Sequence, residues 1–409
     1  MKIAIIGGGA SGLCCAIEAA KNSDRHKTDI VIYEAKDRVG KKILATGNGR
    51  CNMFNINAAA DDYSSPSFVR DTLTSYGAES TRRFFETLGL YTRHDEEGRA
   101  YPLSNQASSV LDVLRFECEH LGVKTLCGEE ITAIKKQGKG FVLSDGRYYD
   151  KVVLACGGKA VAKNYGGYEL LKSLGHTVTK LMPALTKLTV KDNSFTKSLK
   201  GIRHKAGIAL YIDGKKVTEE KGELLFADYG LSGIAVMQIS SFIARHFRNS
   251  KTLPKAECDF VCEMSLEELI ESLVRICSYN KSLKAENLLT GFMPKKLGEN
   301  IVRSAGIPIS KDIGELSEGE IRNIASACKC FSFEIAALRP FDDAQVTSGG
   351  ADLREFDCKT LESKKVKNLY CCGELLDIDG PCGGYNLLWA FASGRAVANA
   401  LLTDKRRDV

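Results

Sequence analysis

The chain has 409 residues, of which 44% are hydrophobic and 26% charged, with a formal charge of +6. That is the make-up of a soluble globular protein too long for one ordinary core, so two or more lobes are expected. No apolar run reaches the roughly 18 residues of a membrane span, and the basic residues are dispersed among acids except at Lys405-Arg406-Arg407, which argues against a helical membrane protein and a nucleic-acid-binding face.

Lys2 to Ile6 is a short apolar strand that begins the chain as a core element, with no cleavable signal before it. Gly7, Gly9 and Gly12 follow at GxGxxG spacing, and Leu13, Ala16, Ile17 and Ala20 then recur at the interval of one buried helix face. Strand, glycine turn and helix N-terminus, through Ala10 and Ser11, aim backbone N–H groups and the positive end of the helix dipole at one point, where a pyrophosphate fits. Gly7 allows the tight turn, Gly9 the approach of phosphate, and Gly12 the packing of helix on strand. A second strand, Asp29 to Tyr33, leads to Glu34, about 20 residues past the last glycine as the dinucleotide fingerprint requires. Its carboxylate can accept both hydroxyls of an adenosine ribose and would repel a 2′-phosphate, which disfavours NADP there.

The stretch from Glu34, Ala35 and Lys36 through Lys41 and Lys42 runs into Thr46-Gly47-Asn48-Gly49-Arg50-Cys51-Asn52. An NAD domain would proceed to another βα unit; cationic and glycine-rich backbone in this place suits an extended FAD. The plainer alternative is a basic loop, a kind of segment that also carries function. A helical excursion is expected near Phe68 to Leu90. Glu129-Glu130-Ile131 resembles the place where flavoproteins contact adenine by backbone, and Phe141 to Tyr149 turns as a hairpin at Asp145-Gly146. Lys151 to Ala155 is the return strand, running into Cys156, Gly157 and Gly158, and Gly166-Gly167-Tyr168 opens a helix ending near Gly175.

From about Thr186 the character changes. Ile208 to Val217 alternates around Asp213-Gly214 as a hairpin. Helices follow over Ile234 to Phe247, Leu266 to Cys277 behind the capping box Ser265-x-x-Glu268, and Ile321 to Ala327 behind Ser317-x-x-Glu320. This segment has no second nucleotide fingerprint. It reads as a substrate or lid domain, residues 186–341, inserted between the two parts of an FAD-binding domain, residues 1–185 and 342–409. Either NAD(P)H then binds transiently as a reductant, or the electrons come from the substrate.

Asn368 to Cys372 reads as a buried strand running into Gly373, Glu374 and Asp377, and a long apolar helix extends to about Leu402. A strand ending in glycine and an acid suits the ribityl chain of FAD. Gly384, Asn386 and Leu387 bring a helix N-terminus to the flavin's pyrimidine edge, where its dipole favours negative charge. A packing helix with a glycine-rich entry is a compatible reading. The fifteen cysteines form no CxxC pair and the six histidines no ligand pair with them. No metal site is therefore expected, and most of the thiols read as core residues of a reduced, cytoplasmic protein. Cys51, whose next cysteine is Cys118, is expected to pack or touch flavin rather than form a catalytic disulfide. Arg50 and Tyr385 are candidates for polarising a substrate carbonyl, each equally suited to binding FAD or packing, while His204 and His246 read as surface or structural.

Gly47-Asn48-Gly49-Arg50-Cys51-Asn52, Val346-Thr347-Ser348-Gly349-Gly350 and Gly373-Glu374 through Asn386-Leu387 together resemble a bacterial family of FAD-dependent oxidoreductases that includes aminoacetone oxidases and bile-acid dehydro-reductases. The resemblance spans almost the whole chain. More distantly, Leu154-Ala155-Cys156-Gly157-Gly158 is similar to the flavin subunits of fumarate reductases. The fold implied is α/β, a Rossmann-like FAD-binding domain of the glutathione-reductase/fumarate-reductase type with an inserted mixed β and α domain. The activity implied is hydride transfer between a small organic substrate, or NAD(P)H, and non-covalent FAD, with an activated double bond or oxygen as acceptor. Leu388 stands where the family usually has Gln, and Ala227 and Ile234 where Thr and Pro flank Leu-Ser-Gly, departures that bear on substrate identity. Two other readings are an FAD-dependent RNA-modifying enzyme, which RNA-dependent activity would favour, and a flavoprotein without turnover, which a flavin that no donor reduces would favour. The sequence carries no signal for oligomeric state.

Overall fold

The computed structural model describes residues 1–24, 26–160 and 166–403, so the Lys405-Arg406-Arg407 run lies outside the described residues. The chain divides into two units, Met1–Met182 with Val346–Val409, and Pro183–Gln345.

In the first unit, Lys2–Ile6 (β1), Asp29–Glu34 (β2), Lys124–Cys127 (β3), Lys151–Leu154 (β4) and Leu369–Cys371 (β5) pair in the order β5-β4-β1-β2-β3. Every neighbouring pair is parallel. Every residue of β4 and β5 is buried, as expected of parallel strands covered on both faces. The order reverses between β1 and β4, the position at which open parallel sheets leave a crevice beyond their carboxyl ends. Helix α1 (Ala10–Lys21) lies between β1 and β2 in the chain and buries Leu13, Ala16, Ile17 and Ala20. The C-terminal helix Tyr385–Thr403 packs against it so closely that a Cβ on Gly394 would collide with the Ser11 carbonyl oxygen. The expected excursion is two helices, Pro66–Tyr76 and Ala78–Thr87, parted at Gly77. The hairpin at Asp145-Gly146 joins Gly140–Leu143 to Tyr148–Tyr149. A helix not foreseen from the sequence, Ala107–His120, buries Val110, Leu111, Leu114 and Cys118.

The second unit is built on a closed six-stranded barrel, in the order Leu188–Val190, Gly230–Ser232, Lys215–Ala227, Arg203–Ile212, Lys255–Asp259 and Phe331–Leu338. The hairpin turn at Asp213-Gly214 lies where the alternation places it, but its strands run much further than Ile208 to Val217. Ile208, Leu224, Phe226, Phe260 and Ile335 fill the unit's core. Both capping boxes form: the Glu268 and Glu320 N–H groups donate to Ser265 and Ser317 Oγ at 3.2 Å, and each serine N–H donates back to its glutamate. They open Leu266–Tyr279 and Glu318–Lys329. Among the described residues, no group of three or more His, Cys, Asp or Glu could hold a metal ion, and no helix is long and apolar enough to cross a membrane.

Candidate functional site

The glycine turn after β1 is locked from three sides. The Gly7 N–H donates to the Tyr33 carbonyl at 2.8 Å, and the Gly40 N–H donates to the Gly8 carbonyl at 2.9 Å. A Cβ on Gly7 would strike the Ala155 carbonyl at the end of β4, and one on Gly12 would strike the Gly7 carbonyl. At Gly9, by contrast, a Cβ would meet nothing within 4 Å. Space is thus left open beside the first turn of α1, whose N-terminus has no side-chain cap and no acid in its first turn. The N–H groups of such a turn have no intrahelical acceptor and carry the positive end of the dipole, so an anion is the fitting occupant. Glu34 stands at the edge of this cradle, with Oε2 accepting from the Gly8 N–H at 3.0 Å and Oε1 from the Lys36 N–H at 2.9 Å. The backbone from Glu34 to Lys36 also pairs with Gly128 and Glu129, which brings the chain leading to buried Ile131 beside β2. Ala35 contributes no side-chain bond among those present, and Lys41 pairs with Asp37.

A second set of residues meets at the ends of β4 and β5. The Lys42 ammonium donates to Glu374 Oε2 at 2.5 Å, and Glu374 Oε1 accepts from the Thr347 N–H at 2.8 Å. Thr347 Oγ1 accepts from the Lys159 and Ala160 N–H groups, and a Cβ on Gly158 would fall 2.5 Å from Glu374 Oε1. Asp377 is engaged within the protein, accepting from the Gly349 N–H at 3.1 Å and the Thr179 hydroxyl at 2.8 Å. Cys156 donates its thiol to the Ile6 carbonyl, and burial beside Glu34 pushes that thiol up to about 12. Gly157 adopts a left-handed φ of 72° with nothing within 4 Å of a would-be Cβ, a second open position on this side.

The loop Thr46–Asn52 and the entry to the C-terminal helix come together as a third set. Gly47, Asn48 and Cys51 have φ values of 57°, 54° and 57°, and the Cys51 N–H donates to the Thr46 carbonyl. A Cβ on Gly384 would sit 2.7 Å from Asn52 Oδ1, a buried oxygen with no hydrogen-bond partner. Asn386 is used to shape this entry: its Oδ1 accepts from the Gly380 N–H, and its Nδ2 donates to the Gly380 and Pro381 carbonyls. Gly49 is open at φ 83°, and Leu387 is partly buried against the core.

The two candidates for substrate polarisation differ in setting. Arg50 is exposed, with its guanidinium 5.2 Å from the Tyr101 ring and Nε 3.4 Å from the Gly47 carbonyl. Tyr385 is held edge-on to Tyr63, whose hydroxyl donates to the Tyr385 carbonyl at 2.9 Å, and burial raises the Tyr385 hydroxyl above its ordinary pKa. Cys51 is fully buried, its thiol pushed up to about 11 by burial and eased by Thr46, which is the setting of a packing residue. Leu388 is fully buried as well, so its side chain presents no face to a ligand. The sequence reading missed the groups that hold Gly373: Ser393 Oγ accepts its N–H at 2.9 Å, and Trp389 Nε1 donates to its carbonyl at 3.2 Å. A lone serine in a largely apolar helix was the available signal. Thr347, within a quoted motif, was not singled out either.

The uncapped helix turn, the open space at Gly9, Gly157 and Gly49, the anchored Glu34 carboxylate and the orphaned Asn52 oxygen fit an extended dinucleotide.

Over residues 1–400 the chain matches the model for the HI0933-like protein Rossmann domain. It is 40% identical over 408 residues to the 3-dehydro-bile acid delta(4,6)-reductase of Clostridium scindens, covering 98% of each chain. It is 29% identical over 407 residues to the ribosomal RNA dihydrouridine synthase of Haemophilus influenzae, covering 96% of each. Among solved structures it is similar to the 3-ketosteroid delta1-dehydrogenase of Sterolibacterium denitrificans at 12% identity, covering 98% of this chain and 99% of that one, with a TM-score of 0.49.

Proposed function

The chain belongs to the HI0933-like Rossmann family and is an FAD-dependent oxidoreductase, and on that premise we propose that it reduces a carbon–carbon double bond conjugated to a ketone in a small apolar substrate of steroid type. The observation that carries this reading is the full-length 40% identity to a bile-acid reductase, on a chain whose glycine cradle and ribose acid are intact. FAD, held without a covalent bond, supplies a ring able to accept and donate hydride. Gly7 to Gly12 hold its pyrophosphate, Glu34 its ribose, and Glu374, with Lys42 and Thr347 in attendance, the ribityl side. The N–H groups that follow Gly383 and Gly384 favour negative charge where the C-terminal helix begins. Tyr385, kept protonated by burial, and Arg50 are the groups assigned to the ketone oxygen. NAD(P)H is the assigned reductant, arriving transiently because no second nucleotide fingerprint is present, and residues 186–341 are assigned to substrate recognition.

Stopped-flow mixing tests the reading. The holoenzyme is reduced anaerobically with NADH or NADPH, then mixed with a 4,6-dien-3-one steroid or with oxygen. Reoxidation by the dienone much faster than by oxygen is expected. Fast reoxidation by oxygen that the dienone leaves unchanged would make the protein an oxidase, and turnover that requires ribosomal RNA would move it to the function named for its 29% identical relative.

A further inference from the structure

In the inserted unit, three side chains prepare a guanidinium for an anion. Arg339 follows directly on the barrel strand Phe331–Leu338, and Lys187 directly precedes Leu188–Val190. These two strands pair, and the Arg339 N–H donates to the Lys187 carbonyl at 2.9 Å, so the two cations are fixed side by side. Asp343 lies between them: Oδ1 accepts from Lys187 Nζ at 2.8 Å and Oδ2 from Arg339 Nε at 3.0 Å. The Arg339 guanidinium also lies over the Tyr229 ring, 4.7 Å from its centroid.

Nε of Arg339 is therefore occupied, and the group is held between Asp343 and the Tyr229 ring. Its terminal nitrogens make no hydrogen bond among the described residues, and the side chain is 36% exposed. Lys187, and then Arg339, hold the Asp343 carboxyl below the usual carboxylate range, so one permanent anion is shared by two permanent cations. The surplus is one positive charge, presented as a planar fork whose ordering cost is already partly met by the ion pair and the ring contact. Such a fork matches a carboxylate through two parallel N–H···O bonds, which a lysine cannot do. One fork and one lysine suit a single anionic group rather than a phosphate backbone, which is tracked by a longer basic stripe. In the same unit Ile234, the first residue of the helix that follows the strand Gly230–Ser232, is 58% exposed and offers apolar surface.

We propose that Arg339, assisted by Lys187, is a binding site for the carboxylate of an apolar organic acid. Its identification as a steroid-type acid rests on the reading of the reaction given above. The test is calorimetric titration of the FAD-loaded protein with 3-oxo-4-cholenoic acid and with its methyl ester. The wild type is expected to bind the acid about tenfold more tightly than the ester, the scale of a bidentate charge-assisted pair. Arg339→Lys keeps a charge beside Asp343 but removes the fork, and is expected to erase most of that preference while leaving ester affinity unchanged. Lys187→Met is expected to lose a smaller part. A merely structural role would weaken acid and ester together.

Equal affinity of the wild type for acid and ester, or an undiminished preference in Arg339→Lys, overturns the proposal. If neither steroid binds, the steroid reading fails by itself, and decanoate decides the fork: it should raise the melting temperature of the wild type and not of Arg339→Lys, whereas equal responses overturn the site. An RNA oligonucleotide that binds through Arg339 while the acid does not overturns it too.

Discussion

Glu34 is fixed before any ligand arrives, since both carboxylate oxygens already accept backbone N–H groups, from Gly8 and Lys36. A ribose bound there meets an acceptor with no rotamer freedom left to lose. Glu34→Ala should weaken FAD binding by one or two charge-assisted hydrogen bonds, about 1.5–3 kcal/mol each; fluorescence titration of the apoprotein with FAD measures it, and unchanged affinity would refute the assignment. The position of this acid was legible from spacing alone, because the fingerprint places one at the end of the second strand. Leu388 was not legible in the same way. Its departure from the family pattern points to the substrate, yet the side chain is fully buried, since which face of a helix turns inward depends on what packs there. His176 had drawn no attention. It is buried, stacked on Phe356 at 4.8 Å, and bonded to Glu355 at 2.8 Å and Ser363 at 3.0 Å. Burial lowers its pKa from the ordinary 6.5 despite Glu355. The unfolded chain therefore takes up the proton first, so stability is full above about pH 6.5 and falls as pH drops from there towards the folded value. Burial alone would raise Glu355, but Lys365, Thr177 and His176 outweigh it and hold the carboxyl at about 2, so its contribution is lost only below pH 4.5. His176→Asn should flatten the first decline while the second persists, reduced by the loss of the imidazole's bond to Glu355, which melting temperatures across pH would show. An identical profile in the variant would remove His176 as the cause.

At the scale of elements, the C-terminal helix is the part on which the site depends most. It holds Gly373 through Ser393 and Trp389, and it lies on α1 with only a glycine, Gly394, at the crossing. Gly394→Ala must push the two helices apart at Ser11, in the first turn of α1 beside the glycine turn. Overpacking of this kind costs about 1–3 kcal/mol, and here FAD affinity should fall together with the denaturation midpoint. Loss of stability with full FAD affinity would show that the crossing and the cradle are independent. Elements whose signals are local were legible: the strand–glycine–helix opening, both capping boxes, the long apolar final helix. The barrel was not. Its closure joins Leu188 to Leu338 and Leu231, partners far apart in sequence, and the strand Lys215–Ala227 is so largely exposed over its first half that no clean alternation marks it. Lys295–Ser304 was missed for a different reason, since Gly298 interrupts a helix whose buried face also includes Leu297, Ile301 and Val302.

For the whole molecule, the family and the cofactor were written in three motifs that the fold brings into one unit, Met1–Met182 with Val346–Val409. The substrate was not, because the second unit carries no fingerprint, and the arginine fork proposed to bind it is assembled from three separate stretches of chain. The proposed reaction requires hydride to pass through FAD held in the Gly7–Gly12 cradle. The visible spectrum of the purified protein during anaerobic titration with NADH and NADPH tests this most directly. A flavin spectrum that one of these donors bleaches, that a 4,6-dien-3-one steroid restores, and that Glu34→Ala loses on gel filtration is the predicted result. A colourless protein that FAD cannot reconstitute would contradict it.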